Sequence, residues 1–390
     1  MAPLSGFARL AAVLYDTMKR PYSAMRGAQV GTKTTVRLEA LLDEAECARR
    51  LLAASGYSDC RALRRRVSSG ELIEPFPQLF ARCAYWDELN PYERALHTMR
   101  GLSVLHPGWT FCHVSAAAAY GLPVTWGYLD RVHVASTCRS RTAGTLSIER
   151  HHIEKPEADM ADGLRVTSFW RTVFDCMATM EPRDALAIAD SALRMSSSRP
   201  RHLLRHLRFA RKATKGIKRA VEIARFADPL SESGGESIAR ATMLRLGFEL
   251  PLLQVWMDDP MRPGHRFRVD FVWICPDGTL LFAEHDGMEK TKNQKMRGPQ
   301  TPEAVRFRER LRESRLTIYG ARVVRFSHED VKDREGFRRL LDAFGAPRRV
   351  GRMGLPPAMP VYNELFTVGG WTAIVSKYEA DDLRDAGLVG

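Results

Sequence analysis

The second half of the chain carries acidic residues whose types and spacing suit them to hold a cation. Arg266–Cys275 (RFRVDFVWIC) alternates Phe267, Val269, Phe271 and Trp273 with Arg266, Arg268 and Asp270, which predicts a strand with one aromatic face and Asp270 on the other. Pro276-Asp277-Gly278-Thr279 is turn sequence, and Leu280–Glu284 (LLFAE) is the returning strand. A three-residue loop sets Asp270 across from Glu284 or from Asp286, whereas a two-residue loop sets it across from His285. Directly opposed side chains have Cβ atoms about 4.5–5.5 Å apart, where like charges repel. A cation relieves that repulsion, and donors that are oxygen alone favour Mg²⁺ or Mn²⁺ over zinc.

The surrounding elements must position these acids. A helix over Gly235–Leu246 carries Glu236 in its first turn, and a strand around Leu252–Met257 follows. After the hairpin comes the polar stretch that contains Lys290. A helix with Thr301 as N-cap and Pro302 at its first position runs to Leu316. Arg322–Phe326 then reads as a strand, and Ser327 opens a last helix to Phe344. The predicted order is α-β-β-β-α-β-α.

These residues resemble a known family. Glu236, Val269-Asp270-Phe271, Glu284-x-Asp286-Gly287-x-x-Lys290, Glu309-Arg310-x-Arg312-Glu313 and Val323-Val324-Arg325-Phe326 occur in the order and spacing of the very-short-patch-repair-type branch of the PD-(D/E)XK nucleases. The resemblance covers residues 229–347 and implies a restriction-endonuclease-like αβββαβ core. Carried over by position, it implies that Asp270, Glu284 and Glu236 bind Mg²⁺, with Asp286 as a further acid beside them. The signature lysine normally stands two residues after the second acid, where this chain has Asp286. Lys290 or Arg312 is the cation left to assist phosphodiester hydrolysis, in which a bound metal makes hydroxide from water and stabilises the phosphorane.

The N-terminal half points toward nucleic acid. Helical spacing over Thr34–Ser55, a second helix over Ser58–Val67 and two short strands in Glu71–Ala84 outline a winged helix-turn-helix. On its second helix Arg61, Arg64, Arg65 and Arg66 are placed to meet phosphates or base edges, or else to form a solvated basic face. Residues 101–198 read as a small α/β module, with a helix at Val114–Tyr120, strands at Arg131–Ser136 and Leu146–His152, and a long helix over Ser168–Arg194. His113, His151 and His152 have no Cys or carboxylate at ligand spacing and read as structural or surface histidines. This half is similar to the winged-helix domain and following module of abortive-infection-type antitoxins, through its order of elements, His113–Gly121 (HVSAAAAYG) and Gly163–Ala185.

Residues 199–226 hold ten Lys or Arg against Glu222 alone. On one helix Arg201, Arg205, Arg208, Lys212, Lys215 and Arg219 fall within roughly 80° of one another, a stripe suited to tracking a phosphate backbone unless Gly216 divides it. It supplies much of the formal +13, from 59 Lys and Arg against 46 Asp and Glu in 390 residues, with a pI near 9.6. An excess of that size favours a polyanionic partner. The length excludes single minimal modules, and 45% apolar with 27% charged residues excludes a disordered chain. No run approaches the roughly 18 apolar residues of a spanning helix, no signal peptide is read, and seven scattered cysteines suit a reducing cytosol.

The expected organisation is an α/β multidomain chain: a leader (1–30), a winged helix-turn-helix (31–100), an α/β middle module (101–198), a basic helical connector (199–228), a nuclease-like domain (229–347) and a tail (348–390). The expected function is a cytoplasmic, Mg²⁺- or Mn²⁺-dependent DNA endonuclease in phage defence or a toxin-antitoxin-like system, with DNA as partner and no membrane. A homodimer or another partner protein stays open. The alternatives are an inactive DNA-binding repressor or antitoxin that keeps the nuclease fold as scaffold, and a stripe that docks an acidic protein.

Overall fold

A computed structural model describes residues 32–137, 147–154, 156–209, 215–286, 310–349, 365–368 and 371–374. The protein is mixed α/β. Its first unit comprises α1 (Thr32–Cys47), β1 (Leu52–Ala53), α2 (Tyr57–Ser68), β2 (Leu72–Phe76) and β3 (Leu79–Arg82), the strands forming an antiparallel sheet in the order β1-β3-β2. The predicted helix over Thr34–Ser55 ends at Cys47. Leu51 and Leu52 are both buried but enter two different apolar clusters, which neighbouring residues reach from an extended backbone and not from one helix face. Arg82 binds Glu39, Asp43 and Glu46, and so straps β3 to α1.

Next come α3 (Cys83–Glu88), α4 (Pro91–Leu105), α5 (His113–Ala119), the parallel pair β4 (Val132–Ser136) and β5 (Ile148–His152), and the antiparallel pair β6 (Ala158–Ala161) and β7 (Leu164–Thr167). The long helix expected over Ser168–Arg194 is two helices, α6 (Phe169–Thr179) and α7 (Pro182–Met195). Pro182 lacks the N–H a continuous helix would need and starts α7 at its first turn. The basic segment is likewise divided into α8 (Pro200–Phe209) and α9 (Ile217–Ala224), with left-handed Gly216 packed against Ala178 between them. Leu203, Leu204, Leu207, Ala220 and Ile223 share one core with α4 to α7, so this segment is an integral layer of the middle unit.

The C-terminal unit has α10 (Gly234–Arg245), β8 (Leu252–Asp258), β9 (Arg266–Ile274), β10 (Leu280–Asp286), helical backbone α11 over 310–316, β11 (Arg322–Ser327), α12 (His328–Lys332) and α13 (Arg334–Ala343). The tail contributes β12 (Leu365–Val368) and β13 (Trp371–Ile374), and β13 pairs with the edge of β8. The sheet order is β11-β10-β9-β8-β13-β12, with β10 and β11 parallel and the other pairs antiparallel. One face packs on α10 and α13 through Phe271, Trp273, Phe326, Met243 and Phe337. The other buries Val255, Met257, Val269, Phe282 and Leu316.

Two buried charges join the middle and C-terminal units. The Arg240 guanidinium on α10 meets Asp190 on α7 at 2.7 Å, with side chains 2% and 0% exposed. Arg240 also donates to the Phe226 carbonyl, and Asp190 accepts from the Asp228 N–H.

Candidate functional site

The β9–β10 hairpin has the three-residue loop. Cys275 and Thr279 close it around left-handed Gly278, and Ala283 pairs with Phe271. That register carries Glu284 opposite Asp270, where the described ladder stops. At that point the Asp270 carboxylate accepts the backbone N–H of His285 at 3.1 Å.

The predicted single aromatic face of β9 is split at Asp270. Phe271 packs with Leu253 on the α10 side, whereas Val269 packs with Val255 on the opposite side. The cause lies in the partner strand. Gln254, between Leu253 and Val255, has φ of 51°, left-handed for a residue with a side chain and confined by neighbours that bury it to 4% exposure. Both strands change face there. Backbone of this kind is costly and is concentrated at functional sites. Sequence reasoning missed Gln254; its one signal was a polar residue inside the apolar run Leu252–Met257.

The Gln254 amide N–H₂ donates to Glu236 at 3.0 Å and to Asp270 at 3.4 Å, bridging helix and strand. Its carbonyl oxygen is buried with no donor among the described residues. Glu236 stands three residues after Ser233, the capping-box spacing. Its N–H donates to the Ser233 hydroxyl, while its carboxylate accepts from that hydroxyl at 2.8 Å and from the Glu232 N–H at 2.9 Å. Burial pushes the Glu236 carboxyl up, with the nearby Asp270 charge adding to the rise. Gly235 was also missed. A Cβ there would overlap the His285 imidazole, so glycine lets α10 close on β10.

Glu284 is 7% exposed and pairs with Arg312 at 2.5 Å and Arg325 at 3.2 Å. Burial raises its pKa, opposed first by Arg312 and then by Arg325. Arg312 also donates to the Arg268 carbonyl, and its helix is held by Arg315 on Asp259 at 2.7 Å. Asp286 is exposed and 3.5 Å from Arg325. Asp270, Glu236, Glu284 and Arg312 are thus brought together, whereas Lys290 lies outside the described residues.

The residues expected to face DNA divide. Arg61, Arg65, Arg205 and Lys215 are exposed. Arg64 is held by Glu74 through two hydrogen bonds of 3.0 and 2.8 Å, and Arg66 is largely buried between Glu39 and Glu71. Arg219 turns back to donate to the Met180 carbonyl, because α9 begins anew after Gly216 and so leaves the expected stripe. Lys212 and the side chains of Arg201 and Arg208 lie outside the described residues.

No family model and no solved structure matches the chain. The curated relatives it matches are uncharacterized: protein MT2308 of Mycobacterium tuberculosis strain CDC 1551 / Oshkosh and protein Rv2248 of strain ATCC 25618 / H37Rv. Each is 33% identical over 167 residues, 43% of this chain and 56% of the relative. The chain therefore spans little more than half the length of these relatives. No helix among the described residues is long and apolar enough to cross a membrane.

Proposed function

We propose that the chain is a metal-dependent DNA endonuclease, with its C-terminal unit a very-short-patch-repair-like PD-(D/E)XK core and its N-terminal unit a winged helix. The observation that carries this reading is the bridging of Glu236 and Asp270 by Gln254 where β8 and β9 change face, with Glu284 across the hairpin from Asp270. The donor set fits Mg²⁺ or Mn²⁺. Three carboxylates offer hard oxygen ligands alone. Asp270, Glu284 and Glu236 would hold the ion, Gln254 would orient two of them through its amide N–H₂, and Asp286 lies at the rim. When bound, the ion lowers the pKa of water and stabilises charge on the phosphoryl group.

The chain's own residues supply orientation and countercharge. The His285 N–H and the Gln254 amide fix the Asp270 carboxylate, and Ser233 and Glu232 fix that of Glu236. Arg312 and Arg325 present guanidinium groups to the scissile phosphate while restraining Glu284. Arg61, Arg65, Arg205 and Lys215 contact the DNA backbone. By its resemblances the system is one of phage defence or toxin and antitoxin.

A second reading, an inactive DNA-binding repressor or antitoxin, is favoured by one observation: Glu284 is already neutralised by two arginines. Plasmid cleavage with Mg²⁺ or Mn²⁺, run beside Asp270→Ala, separates the two. Cleavage by the wild type alone is expected; tight DNA binding by both proteins without cleavage would establish the second reading.

A further inference from the structure

Three histidines remote in sequence converge in the middle unit, against the expectation of unrelated structural or surface residues. His113 opens α5, His133 lies on β4 and His151 on β5, and the β4/β5 register sets His151 beside Ala135, two residues past His133. Each presents a ring nitrogen within 4.8 Å of the other two, and no cysteine or carboxylate joins them among the described residues. Their ring centroids form a triangle of 4.9, 5.0 and 5.0 Å. The three ring planes lie within 20° of one another, and imidazoles sharing one ion through metal–nitrogen bonds of about 2.0–2.1 Å make a triangle of about 5 Å.

Proton placement points the same way. The Thr179 hydroxyl donates to the Asp175 carbonyl at 2.8 Å, so its oxygen accepts from His113 Nε2–H. His113 Nδ1 is then a bare lone pair. It is buried and has no partner among the described residues, on a side chain 7% exposed with φ of 54°. His133 Nδ1 and His151 Nε2 face one another at 2.8 Å and share one proton. No arrangement of that proton reaches His113 as well, whereas a cation at the centre satisfies all three nitrogens.

We infer that His113, His133 and His151 form a binding site for a nitrogen-preferring divalent metal, Zn²⁺ foremost. Binding displaces the proton between His133 and His151, either to solvent or to an outer ring nitrogen. Imidazole suits zinc, whereas Mg²⁺ requires oxygen. Three protein ligands leave the fourth position to water or another small donor. Thr179 is the positioning residue, fixing the His113 tautomer as outer partners of metal-bound histidines do. Thr179 is exposed and His151 half-buried, which gives the ion an entry path.

Full-length protein stripped with a chelator, exposed to Zn²⁺ and desalted is expected to retain one zinc per chain. With Co²⁺ it should show the visible absorption of a low-coordinate nitrogen site. His133→Ala and His151→Ala, verified as folded by circular dichroism, should lose both signals, and Asp270→Ala should keep them. Thr179→Val, a surface change that leaves the ligands in place, should weaken zinc binding by about 10- to 100-fold. Less than about a tenth of an equivalent on the wild type, or unaltered zinc in the two histidine variants or in Thr179→Val, would overturn the site.

Discussion

The two candidate sites differ in every property that governs ligand choice. The carboxylate site gathers oxygen donors from strands of one sheet and from the first turn of α10, and arginines balance their charge. The histidine site gathers neutral nitrogen donors from α5 and two parallel strands, two of them buried and the third half-buried, with Glu149, Asp175 and Arg171 nearby. Opposed acids on a sheet need countercharge to persist; clustered imidazoles need only a shared proton or a borderline ion. One chain thus presents a hard and a borderline candidate site in different units, and each should be separable by mutation without loss of the other.

The largest effect that tests this separation is on cleavage. Asp270→Ala removes the acid that Gln254 and the His285 N–H both orient, and should reduce plasmid cleavage by about 1,000-fold or more, since a metal centre contributes several kcal/mol. Its zinc content should equal that of the wild type. Loss of zinc alongside cleavage would mean that the sites are one energetic unit.

Coupling between the units can be tested through Arg240 and Asp190. Arg240→Ala leaves Asp190 buried without its countercharge and should cost about 3–5 kcal/mol in denaturant unfolding. Replacing both by apolar residues, Arg240→Met with Asp190→Leu, should recover most of that loss, because neither charge then remains uncompensated. If Arg240→Ala unfolds no more readily than the wild type, the α7–α10 pairing is not what binds the units. A smaller cost, about 1–3 kcal/mol, is expected for Gly235→Ala, whose methyl meets the His285 ring. In a His285→Ala background the same change should be nearly neutral, a coupling readable by double-mutant cycle.

The two sites also differ in how far the sequence reveals them. Pro276-Asp277-Gly278 is a local device, and it sets the register that lines Asp270 up with Glu284. The face change was invisible in the Phe267–Trp273 alternation, because its cause is the backbone of a different strand, at Gln254. Leu51 and Leu52 fit a helical period as well as a strand, and only their two separate cores decide between the readings. The histidine triangle had no spacing to read: His133 meets His151 through the pairing of β4 with β5, and His113 through the packing of α5. Contacts made by a turn are written locally, while contacts made by packing are distributed over the whole core.

The smallest expected effect compares two neighbouring arginines on α2 with a third between them. Arg61 and Arg65 are exposed, whereas Arg64 commits its guanidinium to both oxygens of Glu74. Removing one phosphate-binding cation lowers the slope of log binding constant against log salt by about one. Arg61→Ala and Arg65→Ala should each show that reduction, as should Arg205→Ala on α8. Arg64→Ala should leave the slope unchanged, because a group already paired with a carboxylate must break that pair before it can release a counterion from DNA. A slope that falls with Arg64 and not with Arg61 or Arg65 would mean that Glu74 yields its partner on binding, and that α2 meets DNA through a rearranged face.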